Sequence, residues 1–179
     1  MLYRTRQFWQ VVGRRRTDSD LELAESVLTP AEYDLFQQMS RSDQAHSIRV
    51  LRFLLEKGRH QPDLLKAALL HDVGKSIFPL HIWERVIIVL SKAIIPKKVS
   101  VWGSSPMDED QGFMCWRRGF IVSEQHAEWG AQMAAEAGVS ALTRTLIRYH
   151  HVALPVGREV DQSLEERLLR ALQAADEES

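Results

Sequence analysis

The apolar positions of this chain recur at helical spacing over most of its length. Ile48, Leu51, Leu54 and Leu55 form one apolar face within residues 42–57, and the same period returns in later segments. No segment shows the strict alternation of apolar and polar residues that marks a half-buried strand. The pattern therefore predicts an all-α fold, and a length of 179 residues suits a single domain.

Capping residues and helix breakers mark the expected boundaries. Thr29, Pro30 and Glu32 have the pattern of a capping box with proline at the first helical position, so a helix is predicted to begin there. Gly74 is expected to end a helix that begins at Pro62. Further helices are predicted over residues 42–57, 80–95, 123–137, 140–152 and 163–176.

The same pattern suggests how the chain is organised. We expect residues 1–40 to form N-terminal helices packed on the domain, and residues 41–179 to form the domain itself, a single helical bundle. Residues 96–122 contain glycine, proline and an acidic run, and are predicted to be an irregular loop. A loop of that length within a compact domain is usually either functional or loosely ordered.

Composition narrows the classes of partner and compartment. The formal net charge of −1 provides no global basic field, so nucleic acid is not an expected partner. Cys115 is the single cysteine, and it cannot form an internal disulfide. A single cysteine without a disulfide partner suits a reducing compartment, and we expect a cytoplasmic protein.

Residues 1–16 are basic and partly apolar, with Phe8 and Trp9 among arginines. They lack the long apolar stretch and the small-residue cleavage site of a secretory signal. Two interpretations stay open, a first helix packed on the domain and an amphipathic membrane anchor, of which the first is favoured. The most apolar later stretch, residues 86–95, is interrupted by Ser91 and Lys92 and is too short to span a bilayer.

Histidine and aspartate residues are the candidate metal ligands. They lie within predicted helices or at helix ends, and are His46, His71, Asp72, His126, His150, His151 and Asp176. Imidazole nitrogen and carboxylate oxygen are ligands for zinc, manganese, iron and related ions. A single cysteine excludes a zinc-finger type of thiolate site.

His71 and Asp72 are neighbours, and adjacent helical residues point about 100° apart. At the C-terminal end of a helix this constraint relaxes, and the negative end of the helix dipole favours a cation. Residues 64–70 are apolar enough to be buried, and a buried charge must be paired or bound to metal. The alternative is a surface His and Asp in a turn, which the dipeptide alone does not exclude.

The order and context of these residues resemble the HD superfamily of metal-dependent phosphohydrolases. LLHDVGK is similar to its central motif, QHAEWGAQMAAEAG to its middle histidine helix, and LIRYHH to its paired histidines. The resemblance covers roughly residues 40–176 and is strongest to the HDIG-like branch with two metals. VALPVG follows His151, so the HD-GYP signature is absent and a cyclic-di-GMP phosphodiesterase of that type is not expected.

The resemblance implies a role for each candidate ligand. The first metal would be held by His46, His71, Asp72 and Asp176. A second metal, bridged by Asp72, would be held by His126, His150 and, as a further candidate, His151. The number of ions and their identity (Mn, Fe, Co, Ni, Zn or Mg) stay open.

The implied activity is hydrolysis of a nucleotide or related phosphoester by attack of a metal-bound hydroxide. Asp72 and Lys75 are the expected catalytic residues, with Lys75 close to a phosphate oxygen. Arg49, Arg144 and Arg148 are weaker candidates for substrate contact. The alternative is a catalytically inactive, metal-containing module that senses a nucleotide or regulates a partner. Oligomeric state is not predicted.

Overall fold

A computed structural model describes residues 17–78, 84, 87, 88, 90, 91, 118–152, 154 and 163–179. Within these residues the secondary structure is helical, with no strand, so the predicted all-α fold is confirmed. The delimited helices are α1 (Asp18–Val27), α2 (Pro30–Gln37), α3 (Arg41–Glu56), α4 (Pro62–Leu70), a 3-10 helix (Val73–Ser76), α5 (Arg118–Glu136), α6 (Ala141–Tyr149) and α7 (Leu164–Glu178).

The capping box predicted at the start of α2 is present. The backbone N–H of Thr29 donates to Glu32 Oε2 at 2.8 Å, and the N–H of Glu32 donates to Thr29 Oγ1 at 3.4 Å. The next helix, predicted over residues 42–57, begins one residue earlier, at Arg41. Ser40 is the N-cap of α3, because its hydroxyl accepts from the backbone N–H of Asp43 at 3.2 Å.

Gly74 does not end α4 as predicted. The helix ends at Leu70, and Gly74 lies within the 3-10 helix that follows, where Lys75 N–H donates to the Asp72 carbonyl at 3.0 Å. Among the described glycines, positive φ is found at Gly58, just past the end of α3, and at Gly138. At position 74, glycine therefore allows the backbone to lie close to α5, where a Cβ atom would clash.

The loop predicted over residues 96–122 is too long at its C-terminal end. Residues 118–122 belong to α5, where Phe120, Ile121 and Val122 are buried and continue its apolar face. Residues 96–117 lie outside the described part of the chain. The domain boundary at residue 40 stays a prediction.

The apolar segment predicted as a helix over residues 80–95 is described at five positions, all of them helical. Ile88 is buried there, whereas 45% of Ile87 and 56% of Leu90 are exposed. At the described positions this helix is therefore apolar on both a buried and an exposed side.

One hydrophobic core joins all seven α-helices. Its fully buried side chains include Phe36 of α2, Leu51 of α3, Leu146 of α6 and Leu172 of α7. Ala24 of α1 belongs to the same core, so the described part of the N-terminal segment packs with the rest. The basic segment at residues 1–16 lies outside the described residues. Where the chain is described, no helix combines the length and apolar character needed to cross a membrane.

Candidate metal centre

The structure brings all seven predicted ligands to one place in the bundle. They come from α3, α5 and α7 and from the C-terminal ends of α4 and α6, and are His46, His71, Asp72, His126, His150, His151 and Asp176. Within the described residues, two groups of three have ligand atoms within 4.8 Å of one another. Each group has the size and composition that a single metal ion requires.

The first group contains His46, His71 and Asp176. His46 Nε2 lies 2.7 Å from Asp176 Oδ1, and His71 Nε2 lies 3.5 Å from the same oxygen. His46 and Asp176 are partly exposed, whereas His71 is buried. Asp176 lies in the last turn of α7, and the apolar face of that helix packs on the core.

The second group contains His126, His150 and His151. The Nε2 atoms of His126 and His150 are 3.3 Å apart, and both side chains are buried. His151 is exposed, and its ring stacks on that of His126 with centroids 5.5 Å apart. The second group therefore reaches the protein surface through His151.

Asp72 lies between the two groups. Its Oδ2 atom is 3.6 Å from Nε2 of His71, and its Oδ1 atom is 3.4 Å from Nε2 of His126 and 3.9 Å from Nε2 of His150. One carboxylate oxygen thus faces each group, which is the geometry required of a bridging ligand.

Three of the buried histidines have the same hydrogen-bonding arrangement. Each donates its Nδ1–H to a backbone carbonyl of its own helix, and the pairs are His71 with Ala68 at 3.0 Å, His126 with Val122 at 3.0 Å and His150 with Ile147 at 2.8 Å. A neutral imidazole with its proton on Nδ1 presents a lone pair at Nε2. Metal-binding histidines in proteins are usually oriented in this way.

The lone pairs at these Nε2 atoms are better satisfied with a cation bound among them than without one. His71 Nε2 is buried and has no hydrogen-bond partner within the described structure. The lone pairs of His126 and His150 face each other across 3.3 Å, an arrangement that is repulsive unless a proton or a cation lies between them. The donor set of imidazole nitrogens and carboxylate oxygens therefore fits one or two divalent ions.

Helix ends add to the attraction for a cation. His71 is the C-cap of α4 and His150 is the C-cap of α6, so the negative ends of two helix dipoles point at the cluster. The predicted location of His71 and Asp72 at a helix C-terminus is confirmed. The second helix terminus, at His150, had not been inferred from the sequence.

The electrostatics of the cluster keep its two carboxyl groups in the ionised form. Burial alone would raise the pKa of Asp72, but Lys75 and His71 outweigh it and hold that pKa well below its usual range. Burial likewise opposes the ionisation of Asp176, and hydrogen bonds from His46 and His71 nevertheless lower its pKa. Both carboxyl groups are therefore ionised at neutral pH.

The two described imidazoles with shifted pKa values differ in direction. Burial, with the positive charge on His71, lowers the pKa of His150 to about 3, so His150 is neutral at physiological pH. Burial also acts against protonation of His71, but the nearby carboxylates of Asp72 and Asp176 outweigh it and raise the His71 pKa. A proton on His71 would have to leave before its Nε2 could bind a cation.

The basic residues predicted to contact substrate are placed differently from one another. Lys75 Nζ lies 2.5 Å from Asp72 Oδ2, directly at the cluster. Arg148 forms two contacts of 2.6 Å with the carboxylate of Glu128, which joins α6 to α5. Arg144 is exposed on α6, and Arg49 is partly buried one turn after His46. Lys75 therefore contacts a candidate ligand directly.

Gly130 is a structural residue of the site that the sequence did not single out. A Cβ atom on Gly130 would lie 3.1 Å from the backbone nitrogen of Gly74, so α5 and the 3-10 helix touch through two glycines. Glycine near the middle of a predicted helix was the available signal, because it lowers helix propensity and usually has a packing reason.

The described part of the chain is an all-α bundle with a cluster of His and Asp side chains that could hold a metal ion. The sequence matches the family described as HD domain over residues 44–177, which is most of the chain. The chain therefore belongs to the HD-domain family. No curated protein and no solved structure matches it.

The HD-domain family consists generally of metal-dependent hydrolases, and its members bind divalent metals. The two His and Asp groups of this chain could hold such ions. The narrower HDIG subtype stays a prediction.

Proposed function

We propose that the protein is a metal-dependent phosphohydrolase that acts on a nucleotide or a related small phosphoester. The observation that carries the proposal is the carboxylate of Asp72, which presents one oxygen to each of two groups of imidazole ligands. Divalent cations bound there would supply an activated water and neutralise charge on the phosphoryl oxygens.

The protein's own residues prepare the site for this chemistry. Backbone carbonyls fix the orientation of His71, His126 and His150, so these ligands need little reorganisation. Their burial excludes water from the inner part of the cluster, which strengthens every electrostatic interaction within it.

Lys75 is the best placed residue to bind the phosphate of the substrate. Its ammonium group lies beside Asp72, and its side chain is 31% exposed, so it joins the buried ligands to the solvent side of the cluster. A lysine acts on a phosphate oxygen as a compact point charge. Arg144, exposed on α6, is a second candidate for a more distant phosphate or ribose contact.

The test is a screen for turnover with the metal content measured in the same sample. The protein is purified with Mn²⁺, Fe²⁺ or Co²⁺ and incubated with nucleotides, cyclic dinucleotides and dinucleoside polyphosphates. We expect release of phosphate or of a nucleoside monophosphate from at least one of them. Asp72→Asn should abolish it, and the matched control Asp34→Asn, at an exposed position on α2, should not.

Two results would oppose the proposal. If the protein binds metal but turns over no phosphoester, the proposed hydrolase activity is contradicted. If the same sample bound a nucleotide tightly and left it intact, the protein would be interpreted as a nucleotide-sensing module instead of a hydrolase.

A further inference from the structure

Two pairs of charged or polar groups already lie at the first group of ligands, His46, His71 and Asp176, one within the group and one at Asp72 beside it. Asp176 Oδ1 accepts from His46 Nε2 at 2.7 Å. Asp72 Oδ2, the oxygen that faces His71, accepts from Lys75 Nζ at 2.5 Å. Both carboxylates that a cation would use in this group are therefore bound by groups of the protein itself.

The second group, His126, His150 and His151, has a different arrangement. Nδ1 of His126 and Nδ1 of His150 both donate to backbone carbonyls, so their Nε2 atoms present lone pairs to each other at 3.3 Å. Asp72 Oδ1, itself an acceptor, lies 3.4 Å from the nearer of these two nitrogens. Acceptors converge here, and a cation that enters satisfies all of them.

We propose that the two metal positions are filled in a fixed order, with the His126 group binding first and the His46 group held closed by Lys75. This inference rests on the metal centre of the proposed function. A cation in the second group relieves the repulsion between His126 and His150. A cation in the first group must instead displace the Lys75 ammonium from Asp72 and break the pair between His46 and Asp176.

The order gives Lys75 two opposite effects. While Lys75 is bound to Asp72 it weakens metal binding by the His46 group, because a hydrogen bond between charged groups must be lost before that position fills. Once displaced, the same ammonium is free for a phosphate oxygen. Full metal loading and phosphate binding are thereby linked through one side chain.

The experiment is a titration of metal-free protein with Co²⁺, followed by visible absorbance and by heat. We expect two phases of unequal affinity in the parent. His126→Gln should remove the tighter phase and His46→Gln the weaker one. Lys75→Met should tighten the weaker phase by about tenfold and the tighter phase by a smaller factor.

Lys57→Met is the matched control, because it removes the same charge from an exposed position at the end of α3 and should change neither phase. Circular dichroism checks the fold of each variant. If His126→Gln unfolds, the exposed His151 allows the same test through His151→Gln, which should weaken the tighter phase. Inorganic phosphate should bind the fully loaded Lys75→Met variant more weakly than the loaded parent.

Three results would overturn the order of filling. These are a single phase for both ions, loss of the tighter phase in His46→Gln, and a weaker phase that Lys75→Met leaves unchanged. Since no turnover is measured, the outcome is separable from that of the proposed function. Two unequal phases in a protein without turnover would contradict the proposed hydrolase activity and support the order of filling. One phase in a protein with turnover would contradict the order of filling and leave the hydrolase activity supported.

Discussion

The backbone of Gly74 lies directly against the carbonyl oxygen of His126. A Cβ atom at position 74 would stand 1.9 Å from that oxygen and 2.7 Å from the backbone nitrogen of Gly130. Glycine therefore lets the 3-10 helix after α4 approach α5 closely enough to place Asp72 Oδ1 3.4 Å from His126 Nε2. The contact between two backbones sets the distance between two ligands of the candidate metal centre.

Gly74→Ala should destabilise the protein by roughly 2–3 kcal/mol, since the methyl group meets backbone atoms that cannot rotate away. It should also separate Asp72 from His126 and weaken metal binding. Urea unfolding and a Co²⁺ titration measure the two effects. Gly119→Ala is the control, because its methyl group would meet only the flexible end of the Ile88 side chain, at 3.0 Å. Equal stability of the two variants would show that the close contact is not important.

Breaking the buried ion pair between Glu32 and Lys66 should lower the free energy of unfolding more than breaking an exposed pair of the same type. Glu32 is 1% exposed, and its carboxylate lies 2.7 Å from Lys66 Nζ. Lys66→Met should lower the free energy of unfolding by about 3 kcal/mol, because it leaves a buried carboxylate without its cation. Arg52→Met, which breaks an exposed pair with Asp20, should cost at most about 1 kcal/mol. Similar losses in the two variants, measured by urea unfolding, would contradict this prediction.

The ionised carboxylate of Asp63 should add to the free energy of unfolding at neutral pH, and this contribution should disappear in acid. Burial would raise its pKa, but hydrogen bonds from Ser140, Gln61 and Thr143 outweigh this and lower it. Its contribution is therefore fully present above the unfolded-state pKa of about 3.9 and is lost as pH falls through the lower folded-state value.

Asp63→Asn should consequently cost about 1–2 kcal/mol at pH 7. The difference between parent and variant should shrink below about pH 4, where the parent loses the same charge. Unfolding by urea at pH 7 and pH 3 makes the comparison, with the exposed Asp34→Asn as control. A difference that is the same at both pH values would show that the charge of Asp63 contributes nothing.

Metal addition should stabilise the folded state, and more so at higher pH. A ligand present at a hundred times its Kd stabilises by about 2.7 kcal/mol if it binds the folded state alone. Imidazole and carboxylate groups must lose their protons to bind a cation, so the increase in Tm should grow from about pH 5.5 to pH 7.5. Thermal unfolding with Mn²⁺ or Co²⁺ measures it, and EDTA should reverse it. A shift that persists in His126→Gln combined with His46→Gln would place the stabilising ion elsewhere.

The helices and the identity of the candidate ligands could be predicted from the sequence, because both depend on local order. The capping box at Thr29 and Glu32 forms as expected, since all its hydrogen bonds lie within four residues. His71 and Asp72 lie at a helix end as predicted. The start of α3 at Arg41 was missed by one residue, because Ser42 offered a competing cap. Residues 118–122 of α5 were assigned to a loop.

The use of the basic residues could not be predicted. Arg148 lies two residues before His150 and was a candidate for phosphate binding, but Glu128 of α5 holds its guanidinium group. The role of Lys75 at a phosphate stays a prediction, and its contact with Asp72 was not foreseen. Which partner a long cationic side chain takes depends on helix packing, and residue spacing along one helix contains no such information.

The sequence by itself determined that the chain is helical and which seven side chains could bind metal, since periodicity and residue chemistry are local properties. Only the tertiary structure decided how those side chains divide into two groups. His46 and Asp176 are 130 residues apart in the chain and 2.7 Å apart in space. Their distance, the two directions of the Asp72 oxygens and the contact of Gly74 with α5 all follow from how the helices pack on one core.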